Sequence, residues 1–111
     1  MTSATTRSGS NVGVFILARN EQKNIRRCLE ALRESTWDVT VLDSGSTAAT
    51  PEIVRESGFA RLQEYVYRTH CIAYNEITTQ LGPGYRHVLI LDSDMVVSAA
   101  LRKEVDALTR A

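Results

Sequence analysis

Residues 12–18 read VGVFILA, an apolar run with no polar position. A strand of this kind has no face to show to water, so it must lie inside a sheet covered on both sides. The rest of the chain supplies the cover. RNEQKNIRRCLEALRES switches to helical spacing, with Ile25, Cys28, Leu29 and Leu32 at i, i+3, i+4 and i+7. DVTVL is a second strand ending at Asp43, and PEIVRES is a short helix with Thr50 and Pro51 as cap and first residue and Gly58 as its stop. ARLQEYVY is a weaker third strand, and HCIAYNEITTQL is a third helix with Ala73, Ile77 and Leu81 on one face. After the turn GPGY comes a fourth strand, HVLIL, and Ser98 then caps a last helix that turns Leu101, Val105 and Leu108 inward. Strand and helix in strict alternation predict an α/β fold: a three-layer, Rossmann-like, mainly parallel sheet with helices on both faces.

The chain has 111 residues, enough for one core, which the pattern places in residues 12–111. Residues 1–11, rich in Ser and Thr and without periodicity, read as a mobile tail. A formal net charge of zero points away from nucleic acid and anionic membrane surfaces. No apolar run approaches the roughly 20 residues that cross a bilayer, and the start MTSATTRSGSN lacks the apolar middle of a secretory signal. A soluble, cytoplasmic protein is expected. Cys28 and Cys71 match no metal-ligand or redox spacing and read as two reduced, buried thiols.

Right-handed crossovers bring the loops after parallel strands to one sheet edge, where ligands bind. There lie Arg19, Asn20 and Glu21 after the first strand, Asp43 to Thr50 after the second, and Asp92 to Asp94 after the fourth. In an extended segment Asp92 and Asp94 face the same way and Ser93 faces elsewhere. Two carboxylates so close repel unless a cation joins them, and a hard divalent ion such as Mn2+ or Mg2+, often shared with a diphosphate, would do so. The plainer alternative is a loop cap beside a solvated charge. Likewise Asn20 can be a helix cap, Glu21 a favourable first-turn charge, and Asp43 a loop-opening residue bonded to its own backbone.

Taken in order, VFILARNE, VLDSGSTAAT and VLILDSDMVV resemble the nucleotide-sugar-binding half of family 2 glycosyltransferases, which have the GT-A fold. The loop ending Asn20-Glu21, the second-strand motif matched by Asp43, Ser46 and Thr50, and Asp92-x-Asp94 carry the resemblance. It implies an inverting transfer of sugar from a nucleotide-diphosphate sugar, usually a UDP-sugar, to a sugar or glycolipid acceptor in polysaccharide or lipopolysaccharide assembly. It also implies that Arg19, Asn20, Glu21, Asp43, Ser44 and Ser46 line the donor nucleotide site. Asp92 would approach the ribose and metal, and Asp94 would coordinate the metal. A metal acting as Lewis acid would stabilise the departing diphosphate.

The sequence departs from the family at Ala48, where an aspartate is expected, and at Tyr74, where an arginine would face phosphate; Arg68 is a candidate substitute. The family's acceptor-binding half, with its general base, has no counterpart before Ala111, and neither His70 at a helix start nor His87 at a strand start reads as that base. No catalytic residue is therefore expected in this chain, which reads as truncated. With strands ordered 3-2-1-4, the fourth strand would form an open edge that a homodimer could cover. Two alternatives stand beside transfer: a non-catalytic nucleotide-binding or interaction module, and, more distantly, a phosphatase with an Asp nucleophile.

Overall fold

The computed structural model describes residues 11–18, 22–45 and 49–109. Residues 1–10 of the expected tail, together with Arg19, Asn20, Glu21, Ser46 and Ala48, lie outside them. Strands β1 (Val12–Ala18), β2 (Asp38–Asp43), β3 (Arg61–Glu64) and β4 (His87–Asp92) alternate with helices α1 (Gln22–Leu32), α2 (Ala49–Ser57), α3 (His70–Glu76) and α4 (Ala99–Thr109). All strand pairings are parallel, as the alternating pattern predicts, and the order is β3-β2-β1-β4. β1 lies in the middle, paired on both sides.

Pleating divides the core into two layers. Val14 and Ile16 of β1, Val39 and Val41 of β2 and Leu91 of β4 share one cluster with Ile25, Cys28, Leu29 and Leu32 of α1 and Val54 of α2. Phe15 and Leu42 point to the other side, against Ile77, Leu81, Val88 and Ile90. Successive side chains of a strand thus serve opposite faces, which is why the run 12–18 tolerates no polar residue.

Four details differ from the sequence reading. α2 begins at Ala49, so Thr50 lies inside the helix, fully buried, and Pro51 occupies the first turn, where no backbone N–H is needed. The third helix widens into a π-helical turn, Ile77–Leu81, where Gly82 N–H donates to Ile77 O at 2.6 Å. Cys28 is buried as expected, but Cys71 is exposed, because it lies on the outer side of α3. Leu101 and Leu108 are 45% and 79% exposed rather than inward, while Val105 packs on the core and Asp106 accepts a 2.8 Å bond from the Trp37 indole. α4 touches the domain along one line because, among the described residues, β4 is the sheet edge and no element lies beyond it. Ser98 caps α4 as expected, accepting from Leu101 N–H at 3.0 Å.

Candidate functional site

Strand register decides which loop residues meet. Ala18 pairs with Asp43 and Leu17 with Asp92, so the two aspartates flank the end of β1 from either side. Ser44 N–H donates to Ala18 O at 2.9 Å, fastening the β2 loop to that end. Beyond this edge opens a cavity of about 260 Å³. Its floor is Leu17, Ala18 and Leu42; its polar wall is Ser44, Asp92, Ser93 and Asp94; its other wall is Tyr65, Tyr67 and His70.

Asp92 and Asp94 line the same cavity, but not by strand alternation. β4 ends at Asp92, and Met95 N–H closes a tight turn onto Asp92 O at 3.0 Å. Ser93, expected to face away, lines the cavity too and is 3% exposed. Asp94 is exposed and Asp92 half-buried. Asp43 is 7% exposed, and its Oδ1 is buried without a hydrogen-bond partner among the described residues, as is Thr50 Oγ1. An unsatisfied buried carboxylate oxygen at a ligand-side strand end is costly unless a ligand donor completes it. Asp94 also acts at a distance: burial first, and then its negative charge, push the Cys28 thiol up to about 11.

The sequence reading weighed His70 only as a base and overlooked the wall it forms with Tyr65 and Tyr67. The loop after β3 obeys the same strand-end rule as the others, and its tyrosines at i, i+2 were the available signal. Tyr67 N–H donates to Ser44 Oγ at 3.1 Å, tying this loop to that of β2. The Tyr67 hydroxyl meets His70 Nδ1, and His70 Nε2 lies 3.4 Å from Asp92 Oδ1. Arg68, the candidate substitute for a phosphate-facing cation, instead pairs with Glu76 at 2.9 Å, outside the cavity lining. Tyr74 is exposed, its ring centroid 5.7 Å from that of His70.

No group of three or more His, Cys, Asp or Glu side chains placed to hold a metal ion occurs among the described residues. The neighbouring carboxylates of Asp92 and Asp94 are oxygen donors of the kind a hard divalent cation such as magnesium or manganese takes, so the residues present fit such an ion.

A sequence model of the family described as glycosyl transferase family 2 matches residues 13–110. The chain belongs to that family. This glycosyltransferase-family chain is also similar to a TPR repeat-containing protein of Synechococcus elongatus, 26% identical over 99 residues that make up 87% of this chain and 25% of the relative. The chain thus spans about a quarter of that relative's length. No solved structure matches it. Among the described residues no helix is long and apolar enough to cross a membrane.

Proposed function

We propose that residues 12–111 form the donor- and metal-binding part of a glycosyltransferase that moves a sugar from a nucleotide-diphosphate sugar, a UDP-sugar first among them, to a sugar or glycolipid acceptor. The observation that carries this reading is the convergence of Asp92, Asp94 and Ser44 on one cavity at the carboxyl edge of the sheet. Asp43, at the neighbouring strand end, has a buried oxygen still to be satisfied. In this reading Asp43 and Ser44, with Arg19, Asn20, Glu21 and Ser46, hold the base and ribose. Asp92 and Asp94 hold Mn2+ or Mg2+ against the diphosphate.

The bound cation would supply Lewis-acid stabilisation of the leaving diphosphate. This chain's own residues bind and orient the donor: Leu17 and Leu42 keep one side of the cavity apolar, and the acidic wall prepares the cation's position. Acceptor binding and the general base of an inverting displacement are assigned to a part of the enzyme beyond this half. In this reading the chain works in the cytoplasm.

A second reading, a non-catalytic nucleotide-binding module, has two observations in its favour: Arg68 is engaged by Glu76, and Tyr74 stands where the resemblance leads one to expect a phosphate-facing arginine. Thermal unfolding and calorimetry with UDP, GDP and dTDP, each with and without manganese, test the donor site on wild type and Asp94→Ala. A ligand that prefers the folded state raises the melting temperature by mass action. Manganese-dependent stabilisation by one nucleotide, lost in Asp94→Ala, is expected; no response from a folded chain would remove the donor-site assignment. Sugar transfer by a longer protein, abolished by Asp94→Ala, separates the enzyme from the module.

A further inference from the structure

We propose that His70 is a positioning residue for Asp92, holding that carboxylate in place for the metal and the nucleotide, with Tyr67 setting the imidazole's tautomer. The proposal rests on the donor-site reading above and goes beyond it in naming what holds the site in shape. His70 is not part of any motif that singles out the carboxylates, and at the level of sequence it is only the first residue of a helix.

The geometry is a chain of contacts among residues that line the cavity. It starts at the end of β2, where Ser44 Oγ accepts from Tyr67 N–H at 3.1 Å. It continues from the Tyr67 hydroxyl to His70 Nδ1, and from His70 Nε2 to Asp92 Oδ1, 3.4 Å away at the end of β4. The imidazole is gripped from two sides, its centroid 5.5 Å from the Tyr67 ring, nearly perpendicular at 85°, and 5.7 Å from the Tyr74 ring. Its backbone is fixed as well, since Thr69 Oγ1 accepts from Ile72 N–H at 3.1 Å and starts the helix there.

A neutral imidazole has one donor and one acceptor. When the Tyr67 hydroxyl donates to Nδ1, the ring proton must sit on Nε2, the nitrogen that faces Asp92. At 3.4 Å the contact is long for a hydrogen bond, and such contacts tighten when a site is loaded. Asp92 Oδ1 is then engaged by His70, and Oδ2, which has no hydrogen bond among the described residues, remains for the cation or the ribose. Groups that orient a metal-binding side chain in this way typically matter by 10–100-fold in metal affinity.

The test uses manganese with UDP, GDP or dTDP on wild type, His70→Ala, His70→Gln and Tyr67→Phe. Nucleotide affinity is read by calorimetry, bound manganese by electron paramagnetic resonance, and folding by melting temperature. His70→Ala is expected to weaken manganese-dependent nucleotide binding about 10–100-fold, by more than it weakens metal-free binding, in a protein that still unfolds cooperatively. His70→Gln, whose amide nitrogen can stand near the Nε2 position, is expected to recover most of the loss, and Tyr67→Phe to show a smaller one. In an Asp92→Asn background His70→Ala should add nothing, because the residue acts through Asp92. Wild-type affinity in His70→Ala, or a glutamine variant no better than alanine, overturns the proposal while leaving the donor site standing. A folded wild type that binds none of the three nucleotides with manganese overturns both.

Discussion

Asp38 is a carboxylate with 3% exposure at the amino-terminal end of β2, far along the sheet from the candidate site. It has two partners: the Arg61 guanidinium and the Tyr85 hydroxyl both donate to Oδ2, although Oδ1 has no partner among the described residues. Tyr85 reaches it only because residue 13 is glycine, since a Cβ there would come within 2.5 Å of the tyrosine ring. Tyr85→Phe should therefore lower the unfolding free energy by about 1.5–3 kcal/mol, the usual range for a bond to a charged group, as read by urea denaturation. Gly13→Ala should also destabilise, and the double variant should cost less than the two separate losses added together, because both disturb the same contact. Cys28 supplies a pH prediction. Its thiol is raised from an ordinary 9.0 to about 11, so the folded state holds that proton more tightly than the unfolded state does. The associated stability is complete below about pH 9 and is lost as pH rises toward 11. In the native protein at pH 8 a disulfide reagent should titrate one thiol, the exposed Cys71, and a second only on unfolding. Two fast thiols would contradict the buried setting of Cys28.

At the scale of elements, the helix after β4 is the least secured. α4 has no buried residue and is fastened chiefly by Val105 and by the bond from the Trp37 indole to Asp106. Trp37 is the chain's single tryptophan, so fluorescence reports this latch directly. Asp106→Ala should destabilise the fold by about 1–3 kcal/mol and change the tryptophan emission before the remainder unfolds, because a buried donor loses its acceptor. Unchanged emission and stability would show that the latch is incidental. The heptad-like spacing of Leu101, Val105 and Leu108 was legible in the sequence, but spacing tells only that the three share a helix face. How much of that face meets the core depends on how the helix crosses the sheet edge. The π-helical turn was equally hidden. Thr78 and Thr79 hydroxyls bond back to the carbonyls of Tyr74 and Asn75, and Gly82 admits the Ile77 carbonyl where a Cβ would stand 2.8 Å from it.

For the whole molecule, β4 is an open edge among the described residues, and Met95, Val96, Leu101 and Leu108, which follow it in the chain, expose 44%, 55%, 45% and 79% of their surface. The opposite edge, β3, reads RLQE and is guarded by charge. This asymmetry predicts concentration-dependent self-association through the β4 side. Sedimentation velocity over a micromolar range should show it, with Leu108→Glu shifting the population toward monomer. A monomer at every concentration would sink the idea. The same layout explains why the candidate site sits where it does: three parallel strands end together, and the loops leaving them have nowhere else to meet.

The sequence by itself determined the α/β alternation, the parallel sheet and the placing of Asp43 and Asp92 at carboxyl ends of strands. These follow from local periodicity and from the handedness of crossovers, which act over a few residues at a time. It also marked the family, through three short stretches that fell on the expected strand ends. Only the tertiary structure decided that Ser93 joins the carboxylates, because a turn interrupts the strand alternation after Asp92. Only it turned Arg68 to Glu76, and only it set His70 against Asp92, twenty-two positions along the chain. Contacts of that kind depend on the directions of side chains from separate elements, and no spacing within one element encodes them.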